Sequence, residues 1–177
     1  MYQNRTKGDF ERVVKDLQFA IQMEIDGKQY YLEVSGQCRN EVGKRLLASL
    51  AAAEDVHRQK CESIFEAIRE RQVWPKIVLP SGENVKTIFA EAIARAKPES
   101  LSPSTEMAAV DTAISMEIAS YDYYKGRSKN AAPGIEKEFY EAVAAEEHTH
   151  HMTLLDYKEY VDDPAAWFVK TEHPSFD

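Results

Sequence analysis

The sequence predicts an all-α protein, a four-helix bundle made of two helical hairpins. Apolar residues recur at helical spacing over four long segments. Two clusters of turn-forming residues, 36–40 and 130–134, each separate one pair of these segments. A longer connection at about 72–101 joins the two pairs. Because 177 residues suffice for one buried core, we expect a single domain over residues 1–177.

The four long helices are expected at about 9–35, 41–71, 104–129 and 135–161. Ser102 followed by Pro103 is typical of a helix N-cap and a first helical residue, and indicates where the third long helix begins. The turns inside each pair are short, which favours antiparallel neighbouring helices and therefore two hairpins.

The connection between the hairpins has two parts. An extended stretch with prolines, 73–82, comes first, and a short amphipathic helix at about 85–97 follows. After the last long helix we expect one short C-terminal helix that includes Trp167 and Phe168. About thirty residues of connection can span the length of the bundle, or can deliver the second hairpin to a partner chain.

The most informative feature is a group of polar residues that occurs twice. Glu24 is followed thirty residues later by Glu54 and, three further on, by His57. Ninety-three residues after each of these stand Glu117, Glu147 and His150. The midpoint of each glutamate pair falls inside a turn cluster, so antiparallel helices bring the two glutamates of a hairpin to one level.

These six residues lie on the apolar stripes that face the core of the bundle. In the second helix, for example, Leu50, Glu54, His57 and Cys61 follow alternating steps of three and four. Four carboxylates cannot stay ionised in a dry core, since each buried charge costs several kcal/mol. Two divalent cations would balance them, and neutral imidazoles would complete the coordination. The sequence therefore predicts a two-metal site inside the bundle.

The ligand types indicate which metals fit. Oxygen and imidazole ligands without thiolate favour iron or manganese, with zinc as a further candidate. The two cysteines, Cys38 and Cys61, form no C-x-x-C motif, which argues against a disulfide scaffold or an iron–sulfur cluster, and Cys61 is expected to pack as a small apolar residue.

Other residues near the motif have two readings. Tyr31 and Tyr124 each follow a ligand glutamate by seven residues, and either donate hydrogen bonds to carboxylates or serve as core aromatics. His148 and His151 flank the ligand face of the fourth helix and are expected to be solvated or to lie loosely around the ligands. His173, in the tail, is expected to be uninvolved, and Met23 and Met116 to be core filler rather than ligands. Glutamate and lysine residues off the stripes are expected to form a solvated face.

The composition limits the classes of partner that the protein is expected to bind. A net charge of −8 and a pI near 5.2 argue against nucleic acid or an anionic membrane surface. No apolar run approaches a membrane span, and the first residues resemble no signal peptide, so we expect a cytoplasmic protein.

The doubled motif, the two hairpins and the long crossover with its short helix resemble the rubrerythrin branch of the ferritin-like superfamily, over nearly the whole chain. The resemblance implies a di-iron centre (Fe²⁺/Fe³⁺) that reduces hydrogen peroxide or dioxygen in oxidative-stress defence. By the same likeness, Glu54 and Glu147 would bridge the metals, and the terminal ligands would be Glu24, Glu117, His57 and His150. Tyr31 and Tyr124 would assist catalysis beside them.

Two departures from this family leave alternatives open. The chain lacks the four-cysteine rubredoxin-like domain of typical rubrerythrins, so electrons would come from a separate donor protein similar to rubredoxin. Ser120 stands where those proteins carry an extra carboxylate, and the resulting ligand set is closer to that of bacterioferritin-like ferroxidase centres. The alternatives are therefore a ferroxidase that handles iron, and a bundle that its metals only stabilise. A homodimer, with or without hairpins swapped between chains, is the expected assembly.

Overall fold

The computed structural model describes residues 6–71, 73–77, 83–96 and 104–172. Within these residues the protein is all-α, as predicted. The helices are α1 (Lys7–Gln37), α2 (Glu41–Arg71), α3 (Glu83–Ala94), α4 (Ser104–Asn130), α5 (Ile135–Asp162) and α6 (Pro164–Glu172). The four long helices begin and end within two residues of their predicted bounds, and α6 is the short C-terminal helix expected around Trp167 and Phe168.

Parts of the predicted connection and tail lie outside the described residues. Ser102, Pro103 and His173 are among them, as is the second half of the extended stretch, 78–82. The first half, 73–77, has no regular secondary structure, in agreement with the prediction.

Local sequence signals explain where the helices start. Thr6 caps α1 in a capping box: its hydroxyl accepts a hydrogen bond from the Asp9 amide at 3.3 Å, and Asp9 accepts one from the Thr6 amide at 2.9 Å. The side chain of Asn40 accepts from the Val42 amide at 2.9 Å, which fixes the start of α2. Before α5, Gly134 has a φ of 107°, a conformation that favours glycine.

The long helices form the two predicted hairpins. The first hairpin is α1 packed on α2, the second is α4 packed on α5, and α3 covers one end by packing against α2 and α5. None of the helices within the described residues combines the length and the apolar character that crossing a bilayer would require.

Two apolar clusters fill the bundle, and the predicted ligands lie between them. The cluster at the turn end of the first hairpin contains Leu50, and the cluster at the opposite end contains Cys61. Along α2, Glu54 and His57 stand between these two residues. The polar layer is thus closed above and below by apolar side chains.

Contacts between the hairpins repeat at the same offset as the sequence motif. The hydroxyl of Tyr30 donates to the carbonyl of Ala109 at 2.8 Å, and that of Tyr123 donates to the carbonyl of Asp16 at 2.6 Å. Each donor and acceptor lies ninety-three residues from its counterpart. The internal sequence repeat therefore folds into two hairpins related by an approximate twofold axis.

Candidate metal centre

All six predicted metal ligands are buried at one level of the bundle. Even the most exposed of them, Glu54, retains only 3 % of its accessible surface. The four helices contribute as the repeat predicts: Glu24 from α1, Glu54 and His57 from α2, Glu117 from α4, Glu147 and His150 from α5. The structure thus brings together every residue of the predicted site.

The side chains form two overlapping groups. In each group every residue offers one potential ligand atom, and these atoms lie within 4.8 Å of one another. We call the first group the His57 subsite; it consists of Glu24, Glu54, His57 and Glu147. The second, the His150 subsite, consists of Glu54, Glu117, Glu147 and His150. Glu54 and Glu147 belong to both groups, which is the arrangement that bridging ligands would have.

Both imidazoles direct the same ring nitrogen toward the centre. The Nδ1 atom of His57 lies 3.0 Å from Glu147 Oε1 and 3.6 Å from Glu24 Oε2. The Nδ1 atom of His150 lies 3.5 Å from Glu117 Oε2 and 3.7 Å from Glu147 Oε2. Each Nδ1 is therefore the atom that would face a metal ion.

The centre contains buried polar atoms that have no hydrogen-bond partner within the described part of the chain. They are Glu24 Oε2, His57 Nδ1, Glu117 Oε2, both carboxylate oxygens of Glu147, and His150 Nδ1. A buried polar atom left unsatisfied costs about 1–3 kcal/mol, and more if it is charged. Because all these atoms face one small volume, a pair of cations would satisfy them together, and the residues fit a two-metal centre.

The pKa values show how strongly the carboxylates and imidazoles interact. Burial is the main cause, and the charge of the nearby Glu147 the second cause, that raises the pKa of Glu54 above its ordinary value. The same two causes raise the pKa of Glu117 to about 8. Burial alone would raise the pKa of Glu147 too, but His57 and His150 hold it below its ordinary value. For His150, burial lowers the pKa, and the charges of Glu117 and Glu147 outweigh it and raise the value to about 9. Metal binding at such a site would displace these protons.

Tyr31 and Tyr124 are hydrogen-bond donors to ligand carboxylates, the first of the two roles considered for them. Tyr31 donates to Glu117 Oε1 at 2.5 Å, and Tyr124 donates to Glu24 Oε1. Each bond crosses from one hairpin to the other. Burial raises the pKa of both phenols, so they remain protonated and able to donate.

One participating residue was missed by sequence reasoning. Glu146, expected on the solvated face, places Oε2 2.9 Å from the Nε2 atom of His57, and its side chain is only 12 % exposed. A carboxylate at this position keeps the proton on Nε2 and leaves Nδ1 free for a metal. The counterpart of Glu146 in the first hairpin is Ala53, so comparison of the two repeats contained a signal.

A cavity of about 220 Å³ leads to the centre between α1 and α4. Its inner end is lined by Tyr31, Glu54 and Glu117. Met23 and Met116, expected to be core filler rather than ligands, are half-buried in its wall, and Met23 also packs against the apolar cluster that contains Cys61. The site is therefore reachable from one side, at the His150 subsite.

The remaining candidates lie outside the centre. His148 is exposed and His151 half-buried, and neither belongs to the two ligand groups. The rings of His148 and Tyr121 pack with their centroids 5.7 Å apart. Cys61 is buried as predicted, and burial raises the pKa of its thiol to about 12, which keeps it protonated.

Comparison with known proteins agrees with this geometry. The family model described as Rubrerythrin matches residues 15–150, a span that includes all six candidate ligands. No curated protein and no solved structure matches the chain.

Proposed function

Because the chain belongs to the rubrerythrin family, a family of ferritin-like di-iron proteins, we propose that it is a di-iron oxidoreductase that reduces hydrogen peroxide or dioxygen. Electrons would come from a separate donor protein similar to rubredoxin. The proposal places the protein in the oxidative-stress defence of the cytoplasm, as a homodimer. Iron is the proposed metal because the ligands are carboxylates and imidazoles without thiolate.

The observation that carries this proposal is the set of unpartnered polar atoms at the centre. Six atoms from five residues face one buried volume without a hydrogen-bond partner in the described chain. A bundle that needed only stability would place leucine or isoleucine at such positions, because well-packed apolar residues are often at least as stabilising as buried ionic groups. The energetic cost of this arrangement is best explained by a function that requires metals.

The bound iron pair would supply the two electrons that reduction of a peroxide bond requires. The protein's part is to hold the pair and to control access. Glu54 and Glu147 are positioned to bridge, and Tyr31 fixes Glu117 by its 2.5 Å hydrogen bond. Since Tyr31 also lines the inner end of the cavity, its hydroxyl stands where an entering oxidant would meet the centre.

Stopped-flow oxidation of the anaerobic ferrous protein tests the proposal. The ferrous protein is mixed with hydrogen peroxide in one experiment and with dioxygen in a second, and the ferric absorbance is followed. Oxidation by one of them, followed by re-reduction when reduced rubredoxin is added, supports an oxidoreductase. Reaction with neither oxidant would leave the metals a purely stabilising role.

A ferroxidase that handles iron is the second candidate, and Ser120 favours it. Ser120 is buried beside the centre, where the expected extra carboxylate of rubrerythrins is missing. Iron storage needs a closed shell of many subunits, so the native mass discriminates between the two functions. A dimer that turns over peroxide without accumulating iron supports the first function, and a large shell that mineralises iron supports the second.

A further inference from the structure

We propose that the cavity between α1 and α4 binds the organic group of a neutral alkyl or aryl hydroperoxide, which makes organic hydroperoxides substrates of the metal centre. This inference rests on the proposed function, since it concerns the oxidant that the same centre would reduce. It is argued from the lining, the size and the charge of the cavity.

The cavity joins an apolar wall to a polar inner end. Phe19 and Ala119 are exposed at its outer part, and Met23 and Met116 are half-buried further in. The inner end carries the carboxylates of Glu54 and Glu117 and the hydroxyl of Tyr31. A molecule with a reactive polar end and an apolar body matches this order of groups.

The size of the cavity exceeds what hydrogen peroxide needs. Its volume is about 220 Å³. An apolar cavity of about 150 Å³ in a protein core is large enough to bind benzene and stays free of water. Methionine side chains are flexible and polarisable, so Met23 and Met116 can adapt to an irregular organic group. A group the size of a phenyl ring therefore fits beside the centre.

Two residues create this space at equivalent positions of the repeat. Gly27 and Ser120 stand three residues after Glu24 and Glu117, respectively, and both line the cavity. A long side chain at Ser120 would project into the volume that the organic group needs. With serine in place of the expected carboxylate, the cavity gains room and loses a negative charge.

The charge at the outer part favours a neutral substrate. Asp26 lines the cavity and accepts a hydrogen bond from Gln22 at 2.8 Å. This carboxylate disfavours anions such as fatty-acid hydroperoxides. Neutral hydroperoxides with a compact apolar group meet no such repulsion.

The reaction is the two-electron reduction of the hydroperoxide. The O–O bond of ROOH breaks, the oxygen attached to carbon leaves as the alcohol ROH, and the other oxygen leaves as water. The donor protein of the proposed function would supply the two electrons, and a metal pair held by the six side chains would pass them on. Two protons come from solvent.

The first test measures binding without turnover. The iron-loaded oxidised protein is titrated calorimetrically with 2-phenyl-2-propanol, the alcohol formed from cumene hydroperoxide. In Ala119→Phe a ring fills the outer cavity, and we expect affinity to fall at least about tenfold, because apolar contacts of the bound group are lost. Ala108→Phe is the matched control: Ala108 is an exposed alanine of the same helix, three turns away and outside the cavity, and should bind like the wild type.

The second test measures selectivity. Stopped-flow rate constants for cumene hydroperoxide and for hydrogen peroxide are compared in the wild type, Ala119→Phe and Ala108→Phe. We expect the rate constant for cumene hydroperoxide, divided by that for hydrogen peroxide, to fall at least about tenfold in Ala119→Phe alone. Metal content and melting temperature are checked in each variant, so that misfolding is not read as lost selectivity.

The outcomes separate this inference from the proposed function. Equal alcohol binding by the wild type and Ala119→Phe, or an unchanged selectivity ratio, would overturn the inference while the reduction of hydrogen peroxide stands. Failure of the ferrous wild type to react with cumene hydroperoxide, hydrogen peroxide or dioxygen would overturn both.

Discussion

The two hairpins supply the same candidate ligands but surround them differently. Each contributes two glutamates and one histidine, and each donates one tyrosine hydrogen bond to a glutamate of the other. Around His57, Glu146 supports the ring nitrogen that faces away from the centre, whereas alanine occupies the equivalent place near His150. The cavity reaches Glu117, which belongs only to the His150 subsite, and the shared Glu54.

This difference teaches that a symmetric ligand set does not make two equivalent metal positions. The His57 subsite has an additional carboxylate behind its imidazole, which raises ligand basicity and favours tight metal binding. The His150 subsite borders the cavity, where an oxidant can approach. We therefore expect a tightly held ion at the His57 subsite and a more reactive, more exchangeable ion at the His150 subsite.

Removing a shared ligand should abolish metal binding at both subsites, which is the largest effect that we expect. In Glu54→Ala or Glu147→Ala, both groups lose a carboxylate, and we expect metal content to fall from about two ions per chain to about none. Glu138→Ala, which removes an exposed glutamate of α5, should keep the full content. Metal analysis by mass spectrometry measures this, and full occupancy in either ligand variant would refute the bridging role.

Changing the residue behind a histidine should alter metal affinity at one subsite more than at the other. Glu146→Ala should weaken metal binding at the His57 subsite by roughly 10–100-fold, because the imidazole loses its orienting carboxylate. In the reverse design, Ala53→Glu should strengthen the His150 subsite, since Ala53 is the repeat counterpart of Glu146. Competition with a chelator measures both affinities. Equal weakening of the two subsites in Glu146→Ala would contradict their inequivalence.

Removing the tyrosine hydroxyls should have a moderate effect. Tyr31→Phe and Tyr124→Phe each take a donor from a buried carboxylate, a loss of about 1.5–3 kcal/mol in the free energy of unfolding. Only Tyr31 lines the cavity, so only its variant should also change the rate of oxidation by peroxide. Denaturant unfolding and stopped-flow kinetics check these results. Tyr140→Phe is the control, because within the described residues the buried Tyr140 hydroxyl has no hydrogen-bond partner.

The smallest effect is expected at Gly27. A β-carbon there would lie 3.1 Å from Glu54 Oε2, so the carboxylate must shift by a few tenths of an ångström. Gly27→Ala should therefore weaken metal binding several-fold, although alanine adds about 0.5–1 kcal/mol of helix stability. In Gly36→Ala, on the same helix, the new β-carbon meets no atom within 4 Å, and only the gain in stability should appear. Identical metal affinity in both variants would show that Glu54 does not depend on this close approach.

Sequence periodicity was sufficient to predict the fold and the meeting of the six candidate ligands. Glu24, Glu54 and His57 stand on apolar stripes, and their recurrence at a constant offset left one arrangement of the hairpins that brings all six residues together. The bounds of the long helices inside each hairpin were equally predictable, because turn-forming residues separate α1 from α2 and α4 from α5. These features depend on spacing along the chain, which the sequence states directly.

The contact of Glu146 with His57 and the cavity that leads to the centre could not be predicted from spacing in the same way. Glu146 lies next to Glu147 but off the stripe, and its contact with His57 depends on how closely α5 approaches α2. Met23 and Met116 fall on positions that resemble core, and only the separation of α1 and α4 shows that they line a cavity. Distances between the hairpins decide these roles. The difference between Glu146 and Ala53 in the two repeats marks the position but does not give its contact.

The most direct test of the central claim is a crystal structure of the iron-loaded protein with anomalous diffraction at the iron edge. The six buried side chains are predicted to hold two iron ions about 3.5–4 Å apart, with Glu54 and Glu147 contacting both. Absence of anomalous density between these side chains, or iron bound only elsewhere on the protein, would contradict the account.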